Sequence, residues 1–370
     1  MLTALTMAMA MTNFDPVTLK KRGFEVLEQI RREYYLPESK LYCDSIAIVT
    51  DASKIKQSGP AFNWGVGVML SALNAAARLE PMYKGWLREY ADASRIYWND
   101  KGPVPGYDVL PGPKAVDRYY DDNAWMVLAL METYEILGDK KYLDWASEAL
   151  DYVLSGEDSR LGGGIYWKEA EKTSKNTCSN APSAAACLAV AKYRRSEELR
   201  NKAKVLLDWT RKHLQDPKDG LLWDNVNLSG RIDRTKYTYN TGLYLRAAIE
   251  LDALTLTLSR GERGRQEPTP HLKWVAKNSV KHWIDPETGA AKDGGRFVHL
   301  WFEGLAEVGS SQPVMVKALD YVYTKVRNAD GRYGDAWSRP TEAGRKKFEL
   351  IEQASVARGF LFAAGLREKR

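Results

Sequence analysis

The stretch Cys178-Ser-Asn-Ala-Pro-Ser-Ala-Ala-Ala-Cys-Leu-Ala-Val-Ala191 has no polar face. Small and apolar side chains run through a window too long for a strand. That pattern reads as a helix covered on every side. No stretch of the chain reaches the length of a membrane span, so the cover must be other helices. Working outward, five more segments share the pattern, at about 62–79, 122–137, 239–254, 296–309 and 350–365. Between them lie segments of a second kind, amphipathic, at about 17–34, 82–98, 140–154, 196–214, 271–283 and 312–327. In 140–154 the apolar positions are Tyr142, Leu143, Ala146, Ala149, Leu150 and Val153, one stripe of a 3.6-period helix.

The amphipathic segments end in related turns. Asp216-Pro217-Lys218-Asp219-Gly220 leads to Trp223-Asp224, Asp285-Pro286-Glu287-Thr288-Gly289 is a second copy, and Asn328-Ala329-Asp330-Gly331 leads to Tyr333 and Asp335. Looser copies lie at 37–44, 99–108 and 158–167. Pro and Asp-Gly stop a helix, so each copy closes one helix–loop–helix unit. Six outer amphipathic helices around six buried ones predict an all-α (α/α)6 barrel of six helical hairpins. It forms a single domain over 17–370, after a disordered or leader-like N-terminus at 1–16. An open α-solenoid is the rival. It leaves its inner helices exposed along a concave face, and these are too apolar for that. The Gly- and Pro-containing segment 255–270 reads as a long exposed loop.

Composition excludes several function classes. The 370 residues carry 54 Lys and Arg against 48 Asp and Glu, a net charge of +6 with no long basic block, which argues against nucleic acid. Three cysteines, with no Cys-x-x-Cys pair, make a disulfide framework unexpected. The four histidines are scattered and lack metal-site spacing, so no metal or cofactor is expected. The 12 Trp and 20 Tyr are many for this length; they serve a core or stack on sugars. Met1 to Met11 is mildly apolar without a basic leader region, and reads as a frayed terminus or a signal-peptide remnant.

One rim motif stands out: Arg118-Tyr119-Tyr120-Asp121-Asp122-Asn123-Ala124-Trp125. Two Asp before an apolar run are ordinarily helix caps. Here one cap suffices, the flanking rings offer stacking faces, and an inner helix points its N-terminus into the barrel mouth. Two close carboxyl groups suit retaining glycoside hydrolysis, one as nucleophile and one as acid/base. Like charges push one pKa up while the helix dipole holds the other down, which divides the labour. Other polar and aromatic residues recur at the same phase of the repeat: Asn63 and Trp64, Asn180, then Tyr237, Tyr239 and Asn240, with Trp167 and Asp224 in the preceding loops. Together with Tyr119 and Tyr120 they are the candidate substrate-binding residues.

These residues resemble a known family, the family 76 glycoside hydrolases. The resemblance rests on Arg118 to Trp125, Phe62-Asn63-Trp64, Gly162-Gly-Gly-Ile-Tyr-Trp167, Lys175-Asn-Thr-Cys-Ser-Asn180, Leu222-Trp-Asp224 and Tyr237-Thr-Tyr-Asn-Thr-Gly242. It implies an (α/α)6 barrel that cleaves internal α-1,6 bonds of mannan with retention, acting on a polysaccharide or oligosaccharide; a monomer is expected. It also implies Asp121 as nucleophile, Asp122 as acid/base, Asp224 as a sugar contact, and Trp64, Trp167, Tyr237 and Tyr239 as subsite walls. Which aspartate is which does not follow from the residues. The family is commonly secreted or periplasmic; the weak leader leaves the location open. The rivals are a transglycosidase of the same family, another (α/α)6 carbohydrate-active enzyme, and a helical binding or scaffold protein in which the acids are caps and the rings are core.

Overall fold

The alternation of covered and amphipathic segments is reproduced helix by helix. A computed structural model describes residues 15–51, 53–112, 117–260, 267–309 and 312–366, and the side chains of 254–260 are not described. Among the described residues there are twelve α-helices: α1 (Pro16–Tyr34), α2 (Asn63–Leu79), α3 (Lys84–Ala93), α4 (Tyr120–Leu137), α5 (Lys140–Leu154), α6 (Thr177–Arg194), α7 (Glu197–Leu214), α8 (Thr238–Arg260), α9 (Pro270–Trp283), α10 (Gly295–Val308), α11 (Gln312–Tyr321) and α12 (Leu350–Gly365). The leader-like N-terminus expected at 1–16 lies outside the described residues except for its end. There Asp15 caps α1, accepting the Val17 amide.

The even-numbered helices form the inner ring. Each packs on the next, and α12 packs back on α2, so the ring closes. Closure excludes the open solenoid and makes this an (α/α)6 barrel. Helix α6 shows why it lies inside, with almost its whole surface buried among its neighbours. Helix α7 shows the outer pattern. It buries Ala203, Leu206, Leu207, Thr210 and Leu214, is capped by Ser196, and carries acids in its first turn and bases in its last. Between α8 and α10 the backbones touch. A Cβ on Gly304 would collide with the Gly242 carbonyl, so neither position admits a larger residue.

A buried ionic group ties five inner helices together. Arg358 of α12 donates to Glu132 of α4 at 2.9 and 3.0 Å, to Glu303 of α10 at 2.8 Å and to the Ser71 carbonyl of α2 at 2.8 Å. Arg246 of α8 donates to the other oxygen of Glu303 at 3.1 Å.

Two expectations are corrected. The segment 255–270 is not all loop: α8 continues to Arg260, because nothing breaks the helix before Gly261. Its middle, 261–266, lies outside the described residues. The predicted outer helices 82–98 and 312–327 are shorter, ending in a 3₁₀ turn at Ser94–Tyr97 and a π turn at Val322–Val326. The structure also adds short antiparallel strands that the helical reading missed. Ser174–Asn176, Trp223–Asn227 and Ile232–Lys236 form one sheet, in that order. These strands lie in loops that run from an outer to an inner helix. Such loops are long, whereas the inner-to-outer connections at 138–139 and 195–196 are tight. The long loops therefore gather where the inner helices begin.

Candidate active site

Asp121 and Asp122 are the second and third residues of α4. The helix is entered from Tyr119, which is extended and contributes no side-chain cap. The two acids are therefore not caps; they project from the first turn. Their placement is set by a second segment. The Tyr120 amide donates to the Trp167 carbonyl at 2.9 Å, and the Glu169 amide to the Arg118 carbonyl at 3.1 Å. Arg118 is fully buried and grips Glu169 with two bonds, at 2.8 and 3.1 Å. With 117–120 fixed beside 166–169, the Trp167 indole Nε1 donates to Oδ2 of Asp121 at 3.1 Å.

The pair opens into a cleft of about 670 Å³ whose lining includes Trp64, Asp117, Tyr119, Asp121, Asp122, Trp125, Trp167, Asn176, Cys178, Asp224, Asn225, Tyr237, Tyr239 and Phe297. Residues from the N-terminal ends of five inner helices meet there. Both acids are half-buried, neither turned into bulk solvent nor sealed away. Two aromatic groups flank them. Phe297 stacks on Trp64 and Tyr239, with ring centroids 5.6 and 4.5 Å apart, and lies 5.4 Å from Tyr237. Tyr119 meets Trp167 edge-on at 5.0 Å.

Electrostatics separates the two carboxyls. Burial pushes Asp121 up to about 6, while bonds from the Cys178 thiol and the Trp167 indole, both favouring the ionised form, hold it from going further. Asp122 is raised well above the ordinary range by burial, then by the charge of Asp121, then by Asp117. Near neutral pH the geometry favours an ionised Asp121 beside a protonated Asp122. Among the described residues the lining holds no Lys or Arg, and burial also raises Asp224. A cleft of flat rings and carboxyl groups suits a neutral polyhydroxylated ligand rather than an anion.

Of the residues expected at the site, Trp64, Tyr119, Asp121, Asp122, Trp167, Asp224, Tyr237 and Tyr239 line this cleft. Tyr120, Asn180, Asn63 and Asn240 do not. Tyr120 is buried against Tyr152, their rings 5.0 Å apart. Asn180 is a strut: it accepts the Ile165 amide at 2.8 Å and donates to the carbonyls of Ile165 at 3.0 Å and Asn176 at 2.8 Å. Asn123 does the same for Tyr107, and Gln353 for Tyr333. All three are the fourth residue of an inner helix, so that phase of the repeat holds the preceding loop rather than the ligand. Asn63 and Asn240 are fully buried. Lys175, also buried, clamps the glycine loop, donating to Asp158 Oδ1 at 2.7 Å and the Gly163 carbonyl at 2.7 Å. Sequence reasoning missed Phe297, which stands near the start of α10 as Tyr239 does near the start of α8. Cys178, near the start of α6, also lines the cleft.

The family model for glycosyl hydrolase family 76 matches residues 34–325.

The chain belongs to glycoside hydrolase family 76.

Solved structures agree. A family 76 α-mannanase from Bacteroides thetaiotaomicron is 26% identical, with a TM-score of 0.81 over 96% of each chain. An inactive variant of the α-1,6-mannanase of Salegentibacter sp. HEL1_6, two consecutive aspartates replaced by asparagine, is solved in complex with α-1,6-mannotriose. It is 21% identical, with a TM-score of 0.73 over 94% of this chain and 99% of that one. Cellobiose 2-epimerase from Spirochaeta thermophila shares the fold at 14% identity, with a TM-score of 0.66 over 95% of this chain and 98% of that one. No curated protein matches the chain. As a family 76 member it is a glycoside hydrolase. Among the described residues no helix is long and apolar enough to cross a membrane.

Proposed function

We propose that this family 76 enzyme cleaves internal α-1,6 bonds of mannan by double displacement, with retention of anomeric configuration. The observation that carries the reading is the split of charge between neighbouring carboxyls, Asp121 and Asp122, in a cleft walled by aromatic rings. In the first step Asp121 attacks the anomeric carbon while Asp122 donates its proton to the leaving oxygen. In the second, Asp122 takes a proton from water, which releases the sugar from Asp121. Adjacent residues have Cα atoms about 3.8 Å apart, which favours the narrow carboxyl spacing of retaining enzymes over the wide spacing of inverting ones. Trp64, Trp167, Tyr237 and Tyr239 serve as stacking surfaces, and Asp224 as an acceptor for sugar hydroxyls. The linkage is the one named for the Salegentibacter neighbour.

The test is incubation with linear α-1,6-mannan, with products followed by chromatography and the anomer of the first product read by NMR. Short oligomers released early with the α-anomer leading are expected. A β-anomer leading would sink retention, and an untouched polymer would sink the substrate. Oligomers longer than the starting material would assign glycosyl transfer instead.

A further inference from the structure

A second hollow, of about 750 Å³, lies outside the cleft against α7 and α9. The strand Trp223–Asn227 stands between the two. Neighbouring side chains of a strand point to opposite faces. Asp224 lines the cleft, and Trp223 lines the second hollow.

The hollow has a fixed aromatic surface. Trp274 is 37% exposed, unusual for so large a ring. Its inner side lies on Gly220, whose positive φ of 76° and missing Cβ let the turn pass beneath; any Cβ there would collide with the indole. His271 sits beside it, ring centroids 5.6 Å apart. The platform is therefore held from behind and open in front. At its edge, among the described residues, stand Arg211 and Lys212, while Asp208 is paired with Lys204 at 2.6 Å and Asp216 with Lys236 at 2.7 Å. Burial, then neighbouring cations, hold His213 and His271 below the usual histidine range, so both rings are neutral donors and acceptors near pH 7.

Flat rings with one face open and hydrogen-bonding groups at the edge match the chemistry of a pyranose, which offers an apolar C–H face and a hydroxyl rim. We propose that this hollow is a second glycan-binding site, with Trp274 as its platform, which holds a distant segment of the same neutral polymer that enters the cleft. It rests on the mannan reading above. The site acts on long chains and leaves short ones indifferent, since only a polymer can engage both places at once.

The test compares Trp274→Ala, Trp274→Phe and the unmodified enzyme on linear α-1,6-mannan and on α-1,6-mannotetraose. Retardation in native gels containing mannan is measured in an Asp122→Asn background. Loss of one stacking platform should raise KM on the polymer about 3- to 10-fold in Trp274→Ala and weaken gel retardation, with most of the effect restored in Trp274→Phe. Tetrasaccharide kinetics should stay unchanged, which also shows that the variant is folded. Equal polymer KM in Trp274→Ala and the unmodified enzyme overturns the platform alone. An equal fall on both substrates overturns it too, because the ring would then serve the cleft or the fold. An unmodified enzyme that neither binds nor cleaves mannan sinks the substrate reading, and the occupant named here with it.

Discussion

The indole of Trp167 donates to Asp121 across a gap of 46 residues, at 3.1 Å, from a loop that is itself hydrogen-bonded to the helix carrying that acid. A donor aimed at a carboxylate stabilises its charged form and lowers its pKa. Trp167→Phe keeps the ring that meets Tyr119 and removes the donor. The acid limb of the pH–rate profile should then move to higher pH, with kcat falling about 10-fold or more. A profile superimposable on that of the unmodified enzyme would remove Trp167 from the machinery.

The two carboxyls should give a bell-shaped dependence of kcat/KM on pH. Activity needs Asp121 ionised and Asp122 protonated, so the acid limb falls near 6, with the alkaline limb set by the higher, coupled ionisation. Asp121→Asn and Asp122→Asn should each lower turnover on α-1,6-mannan by about 10²-fold or more. Near-normal turnover in either variant contradicts the assignment.

The same residues cost the fold stability at neutral pH. Both have folded-state pKa values above the ordinary carboxyl value, so the folded protein binds their protons more tightly than the unfolded chain does. The stability this lends is fully present at low pH and is lost as pH rises through the folded pKa, near 6 for Asp121. Asp122→Asn should accordingly raise Tm by about 1–3 °C at pH 8 and leave it unchanged at pH 4. Scanning calorimetry at the two pH values decides it; a gain at pH 4 equal to that at pH 8 would mean packing, not charge.

Asn180→Ala should destabilise the protein by about 2–4 kcal/mol, since it leaves the buried Ile165 amide and two carbonyls without their partner. Urea unfolding measures this. Activity should fall with it only through the Gly162–Trp167 loop that Asn180 holds.

Arg358→Ala should cost about 3–5 kcal/mol, because it removes the cation that Glu132 and Glu303 share in the barrel interior and leaves Arg246 alone beside both. A denaturant midpoint close to that of the unmodified enzyme would mean that Arg246 alone holds both carboxylates.

The helix count, the division into inner and outer helices, and the position of the acid pair were all legible in the chain. Burial periodicity is written locally, residue by residue, and needs no knowledge of the partner: α6 reads as covered whatever covers it. The rim was legible only as a set. Asn180 and Asp122 stand one residue apart in phase at the starts of neighbouring inner helices, yet one braces a loop and the other faces the cleft. At 100° per residue a single step turns a side chain from the ligand to the wall.

The chain alone determined which segments are helices, which of them lie inside, and that two acids open α4, because those depend on spacing along the sequence. The tertiary structure decided the rest. It closed α12 on α2, set Phe297 against Trp64 and Tyr239, aimed Trp167 at Asp121, and pushed one carboxyl above its neighbour. Each of these depends on groups distant in sequence meeting in a low-dielectric space, and no local pattern of residues encodes that meeting.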